Sequence, residues 1–170
     1  MSEIIDIYNN ARQIVAKADR KLPIPEGFNK LSVHVWIMNQ RGQFLLQQRV
    51  ASARKFPNMW GQTGGGAQSG EDSWQCCIRE SVEELGIKPD LNNSVFIGTF
   101  KRPKDFVDVW LVHSDANLND LKLQQDEVQS VKWVSRNEIK DMLNQGIFIP
   151  SILPGLQMVY AYVDMMAKSK

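Results

Sequence analysis

Three glutamates, Glu80, Glu83 and Glu84, fall within the thirteen-residue run SWQCCIRESVEEL. On a helix turning about 100° per residue, Glu83 lies about 60° to one side of Glu80 and Glu84 about 40° to the other. The three therefore share a face, although like charges at this spacing destabilise a helix. Such crowding makes sense where a cation sits over it. Carboxylate oxygens are hard ligands suited to Mg²⁺ or Mn²⁺, which keep waters and accept phosphate oxygens. The competing reading is a solvated acidic face with ion pairs. Arg79 flanks the cluster on the Glu83 side. Trp74, Ile78, Val82 and Leu85 gather on the opposite side and are expected to face the core. Ser81 interrupts the pattern at the edge of that side, where its hydroxyl is expected to bond back to a helix carbonyl. Gly64, Gly65 and Gly66 precede the helix, and glycine allows a tight turn and close backbone approach to a ligand.

The full spacing runs Gly65, five residues, Glu71, seven residues, Arg79-Glu80, two residues, Glu83-Glu84, one residue, Gly86-Ile87. It resembles the Nudix box, Gx5Ex7REUxEExGU with U a bulky apolar residue, in all seven fixed letters. Ser81 is the one departure, at the first U. The resemblance implies an α+β fold, a Nudix-type α/β/α sandwich with a mixed sheet and a catalytic loop–helix–loop. It implies hydrolysis of a nucleoside diphosphate derivative or related organic pyrophosphate, with Mg²⁺ or Mn²⁺ as cofactor. By resemblance, Glu80 and Glu84 are the main metal ligands and Glu83 the third carboxylate, ligating metal or taking a proton. Glu127, in LQQDEV, is similar to a downstream Glu of many Nudix enzymes that ligates metal or acts as general base. Gly65, Glu71, Arg79 and Gly86 hold the motif's shape, with Arg79 pairing with an acidic neighbour such as Glu71. Gly65 and Gly66 approach the substrate. Outside the motif, Arg49 and the Arg54-Lys55 pair are candidates to cradle phosphate.

Likeness extends over about residues 30–150 to the isopentenyl-diphosphate-isomerase-like branch of Nudix proteins, through LSVHVWIMNQRGQFLLQQR, FPNMWGQTGGG and QQDEVQSVKWVSRNEI. Isomerases of that branch carry a Cys-Gly-His stretch just before the box. Here the corresponding residues are Gly65-Gly66-Ala67, and a metal-binding His is replaced by Lys30. The isomerase reading therefore lacks its acid and part of its metal site. A non-catalytic Nudix-like binding module is the other alternative, but such modules usually lose box carboxylates.

The elements that must position these residues follow from hydropathy patterning. LSVHVWIMN, QFLLQQR, SVFIGTF, FVDVWLVHS and VQSVKWV read as strands. Residues 71–86, 135–146 and 151–168 read as helices, the second opened by Ser135 with Glu138 in a capping box. IIDIY reads as a strand and NNARQIVAKADRK as a helix. One domain over 1–170 is expected, with 1–27 and 151–168 as extensions that cover the pocket or build a homodimer. His34 and His113 are expected as packed or edge residues. Trp60, Phe100, Phe106 and Trp110 are expected as core rather than base-stacking groups. The adjacent Cys76 and Cys77 point to reduced thiols. The formal net charge of +1 gives no bulk attraction to nucleic acid or membrane. With no secretory pattern and no long apolar run, a cytoplasmic protein acting on a small diphosphate is expected.

Overall fold

Alternating β-branched and aromatic residues form eight strands among the described residues. The computed structural model describes residues 3–169. The order is β1 (Ile4–Tyr8), β2 (Ile14–Asp19), β3 (Lys30–Met38), β4 (Phe44–Arg49), β5 (Trp60–Gly61), α1 (Ser73–Leu85), β6 (Ser94–Arg102), β7 (Asp105–His113), β8 (Val128–Val134), α2 (Arg136–Asn144) and α3 (Leu153–Lys168). Strands β5, β4, β3, β7 and β6 lie side by side in one sheet, with β8 on β4. β3 and β7 run parallel from Lys30↔Asp105 to Met38↔His113, and the remaining pairs in the sheet are antiparallel. Among the described residues no helix is long and apolar enough to cross a membrane.

The period of two along β3 separates the layers. Leu31, Val33, Val35 and Ile37 face α1 with Leu45, Phe106 and Trp110. Trp36 faces the other way with Phe44, Val109 and Leu111, covered by Ile139 and Met142 of α2 and Leu156 and Val159 of α3. The sheet is thus sandwiched between α1 and the α2–α3 pair. The aromatics assigned to the core all pack in these two layers. His34 is buried in the sheet and His113 is exposed at a strand end.

Two expectations need correcting. The segment expected as a helix, NNARQIVAKADRK, is instead a turn and a strand. β2 pairs antiparallel with β1, Ile4↔Asp19 to Tyr8↔Ile14. The strand alternation of IVAKAD wins because β1 supplies a ladder. This hairpin is a separate two-stranded sheet. It docks through Tyr8–Asn29 backbone bonds at 2.7 and 2.8 Å and through Asp6, which accepts from Ser69 Oγ and Gly70 N, both at 2.8 Å.

The core face of α1 is also not the one expected. Its buried residues are Cys76, Cys77, Glu80, Ser81, Glu84 and Leu85, whereas Val82 is 43% exposed. Trp74 and Ile78 are only partly buried. The acidic face is rotated inward, and small side chains let the helix lie close over β3. Ser81 is 0% exposed, and its Oγ donates to Cys77 O at 2.8 Å. Burial pushes both thiols up, that of Cys77 to about 12, so both stay protonated. The helix opens on an Asp72–Gln75 capping box and closes on Gly86 in the left-handed region, φ 71°.

The missing volume at Ser81 explains the departure from an apolar residue there. Ser81→Leu is expected to overpack this seat and cost about 1–3 kcal/mol. Ser81→Ala should stay within about 1 kcal/mol of the parent, since only a local hydroxyl–carbonyl bond is lost. Denaturant melts of the two variants check this; equal stability for Leu would mean the helix is not closely seated.

Candidate active site

The site lies where two strands part. β3 pairs with β4 only through Ile37↔Leu45 and Met38↔Phe44. Beyond that point the chain from β5 onward fills the gap. It starts on β4, at Gln48↔Trp60 and Gln47↔Gly61, and ends on β3. There Val35 N donates to Thr63 O at 2.9 Å, Val33 N to Gly65 O at 2.8 Å, and Ala67 N to Leu31 O at 2.9 Å. Only glycine fits two positions of this crossing. Gly64 has φ 155°, and a Cβ there would stand 2.2 Å from Val33 O. A Cβ on Gly65 would stand 2.1 Å from Glu80 Oε1, inside the carboxylate.

Glu84 plugs the fork. It is 2% exposed, and its Oε2 accepts from Gln47 Nε2 at 2.9 Å and Gly64 N at 3.1 Å. Thr63 Oγ1 donates to Gln47 Oε1 at 3.2 Å and fixes that amide. Burial, then the charge of Glu80, pushes the Glu84 carboxyl up to about 8. Glu80 is 8% exposed, and burial raises it too, against the opposing pull of Arg79.

Arg79 joins the parts of the motif. Its Nε and Nη2 donate to the two oxygens of Glu71 at 2.6 and 3.0 Å. Its Nη1 reaches Glu80 Oε1 at 2.9 Å and Glu83 Oε2 at 3.0 Å, and Nη2 donates to Gly66 O at 2.9 Å. Burial pushes Glu71 up, but the Arg79 bonds and the Gln68 N–H outweigh it and leave the carboxyl below its usual range. Glu71 is therefore the expected partner of Arg79.

Glu80, Glu83 and Glu84 come together on one helix but not around one point. The Glu83 side chain is 49% exposed and turned to Arg79. Among the described residues no three acidic, His or Cys side chains enclose an ion-sized site. The donor set nevertheless fits a hard divalent cation. Two buried carboxylates face a glycine backbone; Arg79 bonds Glu80, whereas Glu84 accepts only from the neutral Gln47 amide and Gly64 N among the described residues. Glu80 and Glu84 could hold such an ion, with Glu83 in reach of the same turn. Glu127 stands exposed in the turn before β8, where its charge adds to those raising Glu84.

A cleft of about 830 Å³ opens on the far side of Gly64, Gly65 and Gly66. Its lining includes Arg20, Lys30, Arg49, Lys55, Arg102 and Lys104. Of the phosphate candidates from sequence, Arg49 lines it and Arg54 does not; Arg54 is exposed on the same loop. Sequence reasoning missed Arg20, Arg102 and Lys104. The basic turn KRPKD was visible, but nothing in its spacing ties it to Gly65. His34 lines the inner wall, and burial lowers its pKa to about 3, so the ring is neutral.

With no cation bound, the buried Glu84 should make stability fall as pH rises from about 4.5 toward 8. Over that range the folded chain retains a proton that the unfolded chain releases. Glu84→Gln removes this slope, and one amide oxygen can accept both existing bonds. Thermal melts in chelator across pH 5–9 should show the variant gaining on the parent toward alkaline pH. A parallel pair of curves would show that Glu84 ionises freely.

The NUDIX domain sequence model matches residues 28–152. An uncharacterised Nudix hydrolase of Listeria monocytogenes is 35% identical over 147 residues, covering 85% of this chain and 87% of the relative. The isopentenyl-diphosphate Delta-isomerase of Escherichia coli is 28% identical over 109 residues, 61% of this chain and 60% of that protein. The crystal structure of DR0079 from Deinococcus radiodurans superposes with a TM-score of 0.76 at 22% identity, over 94% of this chain and 99% of the other. Fold, motif geometry and sequence agree: the chain belongs to the Nudix family of hydrolases.

Proposed function

We propose that this protein hydrolyses the phosphoric anhydride bond of a nucleoside diphosphate derivative or related organic diphosphate, using Mg²⁺ or Mn²⁺. The observation that carries the reading is the pair of buried carboxylates, Glu80 and Glu84, set against Gly64–Gly65 at the edge of a basic cleft. Glu80 and Glu84 would hold the ion, assisted by Glu83. Bound there, a divalent ion neutralises diphosphate charge and acidifies a water for attack at phosphorus. The chain supplies the rest. Arg49 and Lys55 draw the diphosphate into the cleft, and the glycine backbone lets it approach the carboxylates closely. Glu127 or Glu83, both exposed to solvent, takes the proton of the attacking water. Arg79 and Glu71 keep Glu80 aimed by holding helix and loop together.

Within the family we read the chain as a hydrolase relative of the isomerase branch, not an isomerase. By resemblance to that branch, the isomerase chemistry needs a cysteine acid at the cleft. Cys76 and Cys77 are fully buried beneath α1 and do not line it, and residues 65–67 carry no ionisable side chain.

A panel of nucleoside diphosphate derivatives should release product with Mg²⁺ or Mn²⁺ and not in chelator. Glu84→Gln should lose at least roughly 10–100-fold in metal affinity. Of Glu127→Gln and Glu83→Gln, the one that removes the base should lose about 10²–10⁴-fold in kcat. Conversion of isopentenyl diphosphate, or an inert panel, would sink this reading.

A further inference from the structure

Lys30 is the first residue of β3, and the fold puts its ammonium in an unfavourable place. The residue is partly buried at the cleft wall. Among the described residues no carboxylate lies within ion-pairing distance of it. The acid opposite it in register, Asp105, is already held by Arg102 Nη2 at 2.6 Å and Ser32 Oγ at 2.8 Å. Burial lowers the Lys30 pKa; the charge of Asp105 opposes this, and the cations Arg20, Arg102 and Lys55 add to the lowering. A partly buried ammonium among like charges opposes folding. Nothing in the β3–β7 ladder requires it, since Lys30 N already donates to Lys104 O at 3.1 Å through the backbone.

The surrounding elements build this cluster from three directions. Hairpin β6–β7 brings Arg102 and Lys104 to either side of Pro103. The end of β2 brings Arg20, whose Nη2 would lie 3.4 Å from a Cβ on Gly66. Arg49 and Lys55 line the same cleft from the β4–β5 side. Arg20 is paired with Glu3 at 2.7 Å, Lys104 with Glu26 at 3.7 Å and Arg102 with Asp105 at 2.6 Å, which leaves Lys30, Arg49 and Lys55 in the cleft without a carboxylate at ion-pairing distance among the described residues. Against six cations, Asp105 is the acidic lining residue among those described.

We infer that Lys30, Arg102 and Lys104, with Arg20 at the edge, form an anion subsite for a phosphate of the substrate that lies outside the metal-bound diphosphate. The substrate class is then an organic diphosphate with an additional phosphate on one arm. This rests on the hydrolase reading for its substrate, but the subsite itself needs neither the box carboxylates nor a divalent ion.

The test separates the two. Inorganic phosphate is titrated into the protein in chelator, read by calorimetry and by melting temperature. Wild type and Glu84→Gln should bind it alike. Lys30→Met should bind at least tenfold more weakly while melting, ligand-free, no lower than wild type. Lys104→Ala, at an exposed position, should weaken binding without touching the fold. In the same buffer, ADP-ribose carrying a 2′-phosphate should bind at least tenfold more tightly than ADP-ribose, and Lys30→Met should erase that ratio. Unchanged phosphate affinity in Lys30→Met overturns the subsite. Equal binding of the two ADP-riboses overturns the substrate class. If hydrolysis is never found but phosphate binding follows Lys30, the hydrolase reading alone fails.

Discussion

The guanidinium of Arg79 is the constraint on which the site's geometry depends. One planar group holds Glu71 from the loop, Glu80 and Glu83 from its own helix, and the carbonyl of Gly66. Its fork matches the two Glu71 oxygens in a way a lysine could not. Without it, the loop of glycines and the helix would be joined chiefly by the Gly64 N–Glu84 bond and packing, and the buried Glu80 would lose its compensating charge. With it, the crowded charges are kept in one arrangement. Nη1 bridges Glu80 and Glu83, whereas Glu84 is held on the other side by Gln47 and Gly64, which is why the carboxylates share a turn without closing on a point.

Most of this was legible before the fold was known, and for stated physical reasons. The Glu71–Arg79 pair was implied by the resemblance to the Nudix box, the Gly86 cap follows from the left-handed freedom of glycine, and the Ser135 capping box from its partner Glu138. Strands rich in β-branched and aromatic residues, such as β8, were readable from residue pattern alone. The inward face of α1 was not. Assigning Ile78 and Val82 to the core assumed that carboxylates face water, whereas here the fork between β3 and β4 supplies Gln47 and Gly64 as polar partners for a buried Glu84. That fork is a tertiary feature with no local signature. The β2 strand was misread for a similar reason, since its ladder partner lies across a turn and a helical composition looked equally good in isolation.

Ser81 illustrates how a departure from a family's letter can carry structural information. The apolar residue usual at that position would need volume that the helix–sheet contact does not leave. The neighbouring pair Cys76 and Cys77 is small for the same reason. All three sit in the layer between α1 and β3, so closeness of the helix is a property of several residues together. The closeness in turn sets how near Glu80 comes to the backbone of Gly65.

The β1–β2 hairpin has a consequence for how this protein can change. It is a sheet of its own, attached by Tyr8, Asn29 and Asp6, yet Ile5, Arg20 and Leu22 from that end of the chain form part of the cleft wall. The carboxylates, their glycine loop and Arg79 belong wholly to the larger sheet and its helix. One wall of the cleft and the carboxylate motif thus sit on separate pieces of the fold. Drift in the hairpin can reshape that wall while Glu80, Glu84 and Arg79 keep their places, an evolutionary freedom that the motif itself does not have.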